Sequence, residues 1–284
     1  MHATKVREVE TERLRAEIEE GVVLKLHEAL QPQLPVHPDI GFSATYIPAT
    51  NGASGGDWYD AFELPDGRIM FAIGDVAGHG VEAVATMSRA RLAIIGIALR
   101  ESDPGNVLER ANKAMLRDAQ FATAICGYVD PATLRIKYAT AGHPPGIVVG
   151  VDGSARVLEY DGLPLGVEDD AAYRTFEIQA LHGDLLVLYT DGLIEFDRDV
   201  IAGQRRVLDA FSAIAVRRVD NPAIALREAI LTGRKQTDDV AIMTVAFAEH
   251  ASAGDADDGR SHWSVGFRGV RSPFVSHKVA EPSP

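Results

Sequence analysis

Apolar residues recur every fourth position near the start of the chain: Leu14, Ile18, Val22, Leu26 and Leu30, set between Glu, Arg and Lys. The spacing predicts one helix over residues 4–31. Gly21 weakens its middle by about 1 kcal/mol relative to alanine. The first half carries Glu8, Glu10, Glu12, Arg13 and Arg15 and buries little. Two readings stand side by side: a solvated helix laying one stripe on the domain, or a linker helix that pairs with a second copy or an upstream regulatory module. Strict heptads are absent, which argues against a long coiled coil. Pro32 and Pro35 cannot continue the helix and end it.

Beyond the prolines the period shortens. Phe42 to Pro48 alternates as a strand does, and residues 62–75 read as a hairpin turning at Pro65-Asp66-Gly67. Val81 to Leu99, rich in Ala, Met, Leu and Ile, predicts a largely buried helix packed on a sheet. Pro104 to Arg117 predicts a second, with Asp103 as its N-cap. Strands follow at 121–129 and 134–141, joined at residues 130–133. Residues 146–150 and 155–160 pair around Asp152-Gly153, and two further strands read over 173–178 and 184–189. Residues 207–216 and 222–231 are helical, and 240–247 is the last strand. Many antiparallel strands with a few long helices make an α+β layered domain. Residues 249–284 are dominated by Ala, Ser, Gly, Asp and Pro, a composition that predicts a disordered tail.

Composition narrows the classes. The 284 residues are 46% hydrophobic and 24% charged, ordinary for a globular chain with a real core. A formal net charge of −13 gives no electrostatic support to a nucleic-acid partner. Cys126 is the single cysteine, so disulfides and cysteine metal sites are out; its apolar surroundings mark it as buried, and a reducing, cytoplasmic compartment fits. The pattern contains neither a run of membrane-spanning length nor a signal peptide.

Acids beside glycines at strand ends carry the chemistry. Gly55-Gly56-Asp57 precedes Trp58-Tyr59-Asp60. The strand Arg68 to Ile73 runs into Gly74-Asp75-Val76-Ala77-Gly78-His79-Gly80 and then a helix. Asp184 to Thr190 ends in Asp191-Gly192, and Thr237-Asp238-Asp239 opens the last strand. A carboxylate flanked by glycine leaves room for a hard cation, and oxygen ligands suit Mg²⁺ and Mn²⁺. Four acids at four strand ends point to one shared carboxylate cluster that balances two divalent ions. Alternation sends Asp238 and Asp239 to opposite faces, so only one can be a ligand.

With Ala141-Gly142-His143-Pro144-Pro145, these runs resemble, in order and spacing, the metal-dependent protein phosphatases (PPM family), in particular the bacterial stage II sporulation protein E type. The resemblance covers roughly residues 30–247. It implies a two-sheet antiparallel β-sandwich flanked by helices, with residues 1–33 a linker or regulatory helix, 34–248 the phosphatase domain and 249–284 a tail. It also implies that Asp75 bridges two metals, Mn²⁺ or Mg²⁺, with the backbone carbonyl of Val76 on one of them. Asp57 supports that same metal; Asp191 and Asp238 hold the other, the family pattern favouring Asp238 over Asp239. The implied reaction is hydrolysis of phosphoserine or phosphothreonine on a protein, in this branch a phosphorylated anti-sigma-factor antagonist in partner switching. The opposing reading is a non-catalytic module that keeps the fold and binds a partner. Asp60 reads as a supporting or turn acid, His79 as a hydrogen-bonding residue at a helix start rather than a general acid, and His143 as a loop-ordering residue. Eukaryotic relatives place an arginine on the phosphate just before the first acid; residues 49–56 contain none.

Overall fold

Among the described residues every strand is antiparallel to its sheet neighbours, and the strands fall into two sheets. A computed structural model describes residues 2–49, 55–117, 119–194, 200–217, 219–234 and 236–248. The chain divides into two units, Met1–His250 and Ala251–Pro284. The tail expected over 249–284 lies outside the described residues.

The elements run α1 (His2–Leu30), β1 (Ile40–Ile47), β2 (Trp58–Glu63), β3 (Ile69–Val76), α2 (Gly80–Ala98), α3 (Pro104–Arg117), β4 (Ala122–Asp130) and β5 (Arg135–Ala141). They continue with β6 (Ile147–Val149), β7 (Ala155–Val157), β8 (Phe176–Gln179), β9 (Leu185–Tyr189), α4 (Val200–Arg217), α5 (Pro222–Leu231) and β10 (Val240–Phe247). One sheet has the order β1-β10-β9-β6-β7 and the other β2-β3-β4-β5-β8.

Strand periodicity explains the layering. Along β3, Ile69, Phe71 and Ile73 face the core between the sheets, where they meet Phe42, Leu186, Leu188 and Met243. Met70, Ala72 and Val76 face the other way, toward Val84, Met87, Ile94, Val107 and Leu108 of α2 and α3. A strand buried on both faces has to be apolar throughout, as this one is. On the far side of the first sheet, Val187, Tyr189 and Ile242 pack on Phe211, Leu226 and Ile230 of α4 and α5. The result is a sandwich with a helical layer on each side. Truncating a fully buried side chain such as Phe71 to alanine should cost about 3–5 kcal/mol.

Several boundaries follow the sequence reading and a few depart from it. The 64–67 turn closes with Gly67 N–H donating to the Leu64 carbonyl at 2.9 Å. Asp103 caps α3, accepting from Asn106 N–H at 3.1 Å. The first hairpin arm starts at Trp58 rather than residue 62, α4 begins at Val200 rather than 207, and the strand expected over 173–178 is β8, from Phe176 to Gln179.

Two helical expectations need correction. α2 is buried on one face only; Leu92 and Leu99 are exposed, because the sheet covers just the stripe of Ala83, Val84, Met87, Ala90 and Ile94. In α1 the four-residue stripe is not the docking face. Leu14 (56%), Ile18 (60%), Val22 and Leu26 are exposed, whereas Val23, His27 and the partly buried Leu30 face the domain. Steps of four gain about 40° each on a 3.6-residue helix, so that stripe winds off the docking face.

Candidate functional site

The ends of β3 and β9 and the starts of β2 and β10 bring acids of both sheets together. β2 and β3 bring Asp57 and Asp75 from one sheet, while β9 and β10 bring Asp191 and Asp238 from the other. Asp57 is buried, Asp75 and Asp191 are partly covered, and Asp238 is exposed. All four belong to one electrostatic cluster, since Asp191 acts on both Asp57 and Asp75, and Asp238 acts on Asp75.

Local packing fixes each acid. Val76 N–H donates to the Gly56 carbonyl at 3.2 Å, tying the approach to Asp57 to the end of β3. A Cβ on Gly56 would stand 2.5 Å from the Val76 carbonyl oxygen and 2.9 Å from Asp75 Oδ1, so only glycine fits. Gly192 is constrained likewise, with the Asp239 carbonyl oxygen 2.0 Å from where a Cβ would be. These two contacts are the physical reason for the Gly-Asp and Asp-Gly pairs in the sequence. Across the seam, Thr190 Oγ1 donates to Asp57 Oδ2 at 2.6 Å and accepts from Ala241 N–H at 2.8 Å. The Ala241 N–H thereby points the hydroxyl proton at Asp57.

The carboxylates crowd one another. Burial pushes the Asp57 carboxyl well above its usual range, helped by the charges of Asp75, Asp239 and Asp191 and opposed by the Thr190 hydroxyl. Burial and then Asp191 push Asp75 up to about 7, against a hydrogen bond from the Asp57 carboxyl. Crowding of like charges away from water disfavours the ionised form of each carboxyl.

Other sequence candidates sort differently. Asp60 is buried in an ion pair with Arg91 at 2.7 Å, and Arg91 also donates to the Leu30 carbonyl at 2.5 Å. Its role is to join β2, α2 and the end of α1. His79 occupies the N-cap of α2 but is exposed and makes no side-chain cap bond, so the expected hydrogen bond to the helix start is absent. His143 is buried; its Nδ1 lies 2.8 Å from Thr123 Oγ1, a hydrogen bond joining the loop after β5 to β4. Cys126 is buried, and burial raises its thiol. Asp238 and Asp239 do face opposite ways: Asp239 is 3% exposed and Asp238 is at the surface.

Three contributors were not picked out from the sequence: His27, Tyr46 and Thr190. His27 Nε2–H donates to the Asp57 backbone carbonyl at 2.8 Å, and its ring stacks on Tyr46 with centroids 3.6 Å apart. Burial holds its imidazole below the usual range, so the ring is neutral. The available signal for His27 was its spacing from Val23 and Leu30, the true buried face of α1.

Comparison with known proteins settles the family. The profile of Stage II sporulation protein E (SpoIIE) matches residues 65–248. The chain belongs to the SpoIIE family. It is similar to phosphoserine phosphatase RsbU of Bacillus subtilis (strain 168), 29% identical over 170 residues, which are 58% of this chain and 50% of that protein. It thus spans about half the length of that curated relative, and less of others. Among solved structures, the RsbU and RsbW domains of Rv1364c from Mycobacterium tuberculosis share 32% identity at a TM-score of 0.68. That match covers 77% of this chain and 64% of that one. The PP2C phosphatase domain of SpoIIE from Bacillus subtilis, at 19% identity and a TM-score of 0.65, shares the fold over 74% of this chain and 64% of that one.

Proposed function

We propose that this SpoIIE-family chain is a metal-dependent protein phosphatase. It would hydrolyse phosphoserine or phosphothreonine on a protein partner, an anti-sigma-factor antagonist of a partner-switching pathway. The observation that carries the reading is the convergence of buried Asp57, partly covered Asp75 and Asp191 and exposed Asp238 in one cluster of carboxylates contributed by both sheets. Crowded carboxylates of this kind are the oxygen donors that hard divalent ions prefer. The phosphoserine phosphatases RsbU and RsbP of Bacillus subtilis, both 29% identical over the matched residues, support the reaction class.

Asp75 would bridge two ions, Mn²⁺ or Mg²⁺, with the Val76 carbonyl and Asp57 on one side and Asp191 and Asp238 on the other. Among the described residues no three His, Cys, Asp or Glu side chains stand as a finished ligand group. The ions would supply activation of water and neutralisation of phosphoryl charge. This chain's own residues do the rest. Thr190 orients Asp57, Gly56 lets the Val76 carbonyl approach, and strand packing keeps the acids in place without a dedicated loop. His79, exposed at the start of α2, is free of the helix cap. Residues 49–56 hold no arginine, so phosphate binding rests on the ions.

The exposed stripe Leu14, Ile18, Val22 and Leu26 on α1 is the surface we assign to a second copy or an upstream module. Among the described residues no helix is long and apolar enough to cross a membrane.

The test is hydrolysis of p-nitrophenyl phosphate and of a phosphoserine peptide by the purified chain, with and without Mn²⁺. Activity should need the ion and fall at least about a thousandfold in Asp75→Ala, as expected when metal-assisted charge stabilisation is lost. Turnover that survives either EDTA or Asp75→Ala would rule the mechanism out. A folded, ion-binding but inactive wild type would favour the non-catalytic module.

A further inference from the structure

Asp239 stands beside a residue assigned to the metals, yet its carboxylate is turned to a different task. Asp238 Oδ1 accepts from the Asp239 N–H at 2.8 Å, and from that point the two side chains diverge. Asp239 Oδ1 accepts from Ala49 N–H at 2.9 Å, and Oδ2 accepts from Gly55 N–H at 2.6 Å. One buried carboxylate therefore takes backbone N–H groups on both sides of residues 50–54, the link between β1 and Asp57. Bonds to an ionised acceptor are about twice as strong as neutral ones. The Asp239 carboxylate also faces Tyr46, whose ring stacks on His27 with only 13° between the planes. His27 in turn donates to the Asp57 carbonyl. Asp57 is thus held from two directions: through Gly55, two residues ahead of it, and at its own carbonyl.

We propose that Asp239 is a positioning residue. By gripping the Ala49 and Gly55 N–H groups, backed by the Tyr46–His27 stack, it sets where Asp57 presents its carboxyl and so tunes that position's affinity for a divalent cation. The proposal rests on the metal reading above and assigns Asp239 no ligand bond. It also explains why both acids of the pair are present, one at the surface for the ions and one buried for the loop.

The experiment titrates Mn²⁺ alone into the full chain by calorimetry, alongside Mn²⁺-dependent turnover, for wild type, Asp239→Asn, His27→Leu and Asp238→Asn. Asp239→Asn keeps the shape but replaces one acceptor with a donor. It should weaken Mn²⁺ binding about 10- to 100-fold, the usual effect of losing a group that orients a ligand. The number of ions bound should stay the same, and excess Mn²⁺ should bring turnover back to within a few-fold. His27→Leu, which removes the bond to the Asp57 carbonyl and the stack on Tyr46 but leaves the Asp239 grip, should shift affinity in the same direction by less. Asp238→Asn should instead lose an ion that excess Mn²⁺ does not restore. An Asp239→Asn chain that loses an ion overturns the proposal by making Asp239 a ligand. So does a folded Asp239→Asn or His27→Leu chain whose Mn²⁺ curve superimposes on wild type. If wild type binds no Mn²⁺, the metal reading itself falls and takes this proposal with it.

Discussion

His143 shows what a single buried titratable group does to the molecule. Burial pushes its imidazole down to about 3, with the Tyr189 backbone pulling the other way, from an ordinary value of 6.5. Its folded value is depressed, so below pH 6.5 the unfolded chain takes up a proton that the folded chain refuses. Stability linked to His143 is therefore complete above pH 6.5 and is lost as pH falls toward 3. The slope is about 1.4 kcal/mol per pH unit, or about 2 kcal/mol between pH 6.5 and pH 5. The Asp75 carboxyl, pushed up to about 7, contributes with the opposite sign, so the prediction concerns a difference. Stability of wild type minus His143→Gln, from denaturant midpoints, should narrow by that amount between pH 7 and pH 5. Parallel pH curves would show that the ring is not held neutral.

At the scale of elements, α1 is tied to the backbone of Asp57. Its end is anchored by Val23 in the core, His27 on the Asp57 carbonyl, and the Leu30 carbonyl on Arg91, which also holds Asp60 of β2. A shift of this helix would act directly on the backbone of Asp57. The exposed stripe points outward from those anchors, so Leu14→Glu with Ile18→Glu should leave the melting temperature of a monomer within about 2 °C, as surface substitutions do. It should nonetheless lower oligomer mass in light scattering and raise the Mn²⁺ concentration at half-maximal turnover. If both stay put, the helix is a solvated extension. The sequence made α1 legible as a helix but not its docking face, because two apolar stripes overlap and only tertiary contact chooses between them. Strand-end acids were legible because glycine beside Asp has a local cause, the clearance that Gly56 and Gly192 provide. Opposite faces for Asp238 and Asp239 followed from strand alternation. His27, Tyr46 and Thr190 were not legible, since their roles come from partners distant in the chain, Asp57 standing 30 positions from His27 and 133 from Thr190, and no local pattern encodes them.

For the molecule as a whole, the candidate site works as a clasp between two sheets. Asp57 and Asp75 ride on one sheet, Asp191 and Asp238 on the other, and the Thr190–Asp57 hydrogen bond crosses the seam. On the proposed metal reading, like charges from the two sheets repel without cations, and with cations the same charges would become cross-links. A ligand that binds only the folded chain stabilises it by about 2.7 kcal/mol at a hundred times its dissociation constant. For a domain of this size each kcal/mol is worth about 2–4 °C. Saturating Mn²⁺ should therefore raise the melting temperature by about 5–10 °C over the EDTA-treated protein in scanning calorimetry. Asp75→Asn removes the carboxylate proposed to bridge the ions and relieves the repulsion together, so it should melt higher than wild type in EDTA and show little response to Mn²⁺. Thr190→Val takes away the donor across the seam but no ligand, so it should melt lower in EDTA yet keep most of the Mn²⁺-induced rise. An equal rise in Asp75→Asn and wild type would mean that the ion stabilises the chain somewhere other than between the sheets.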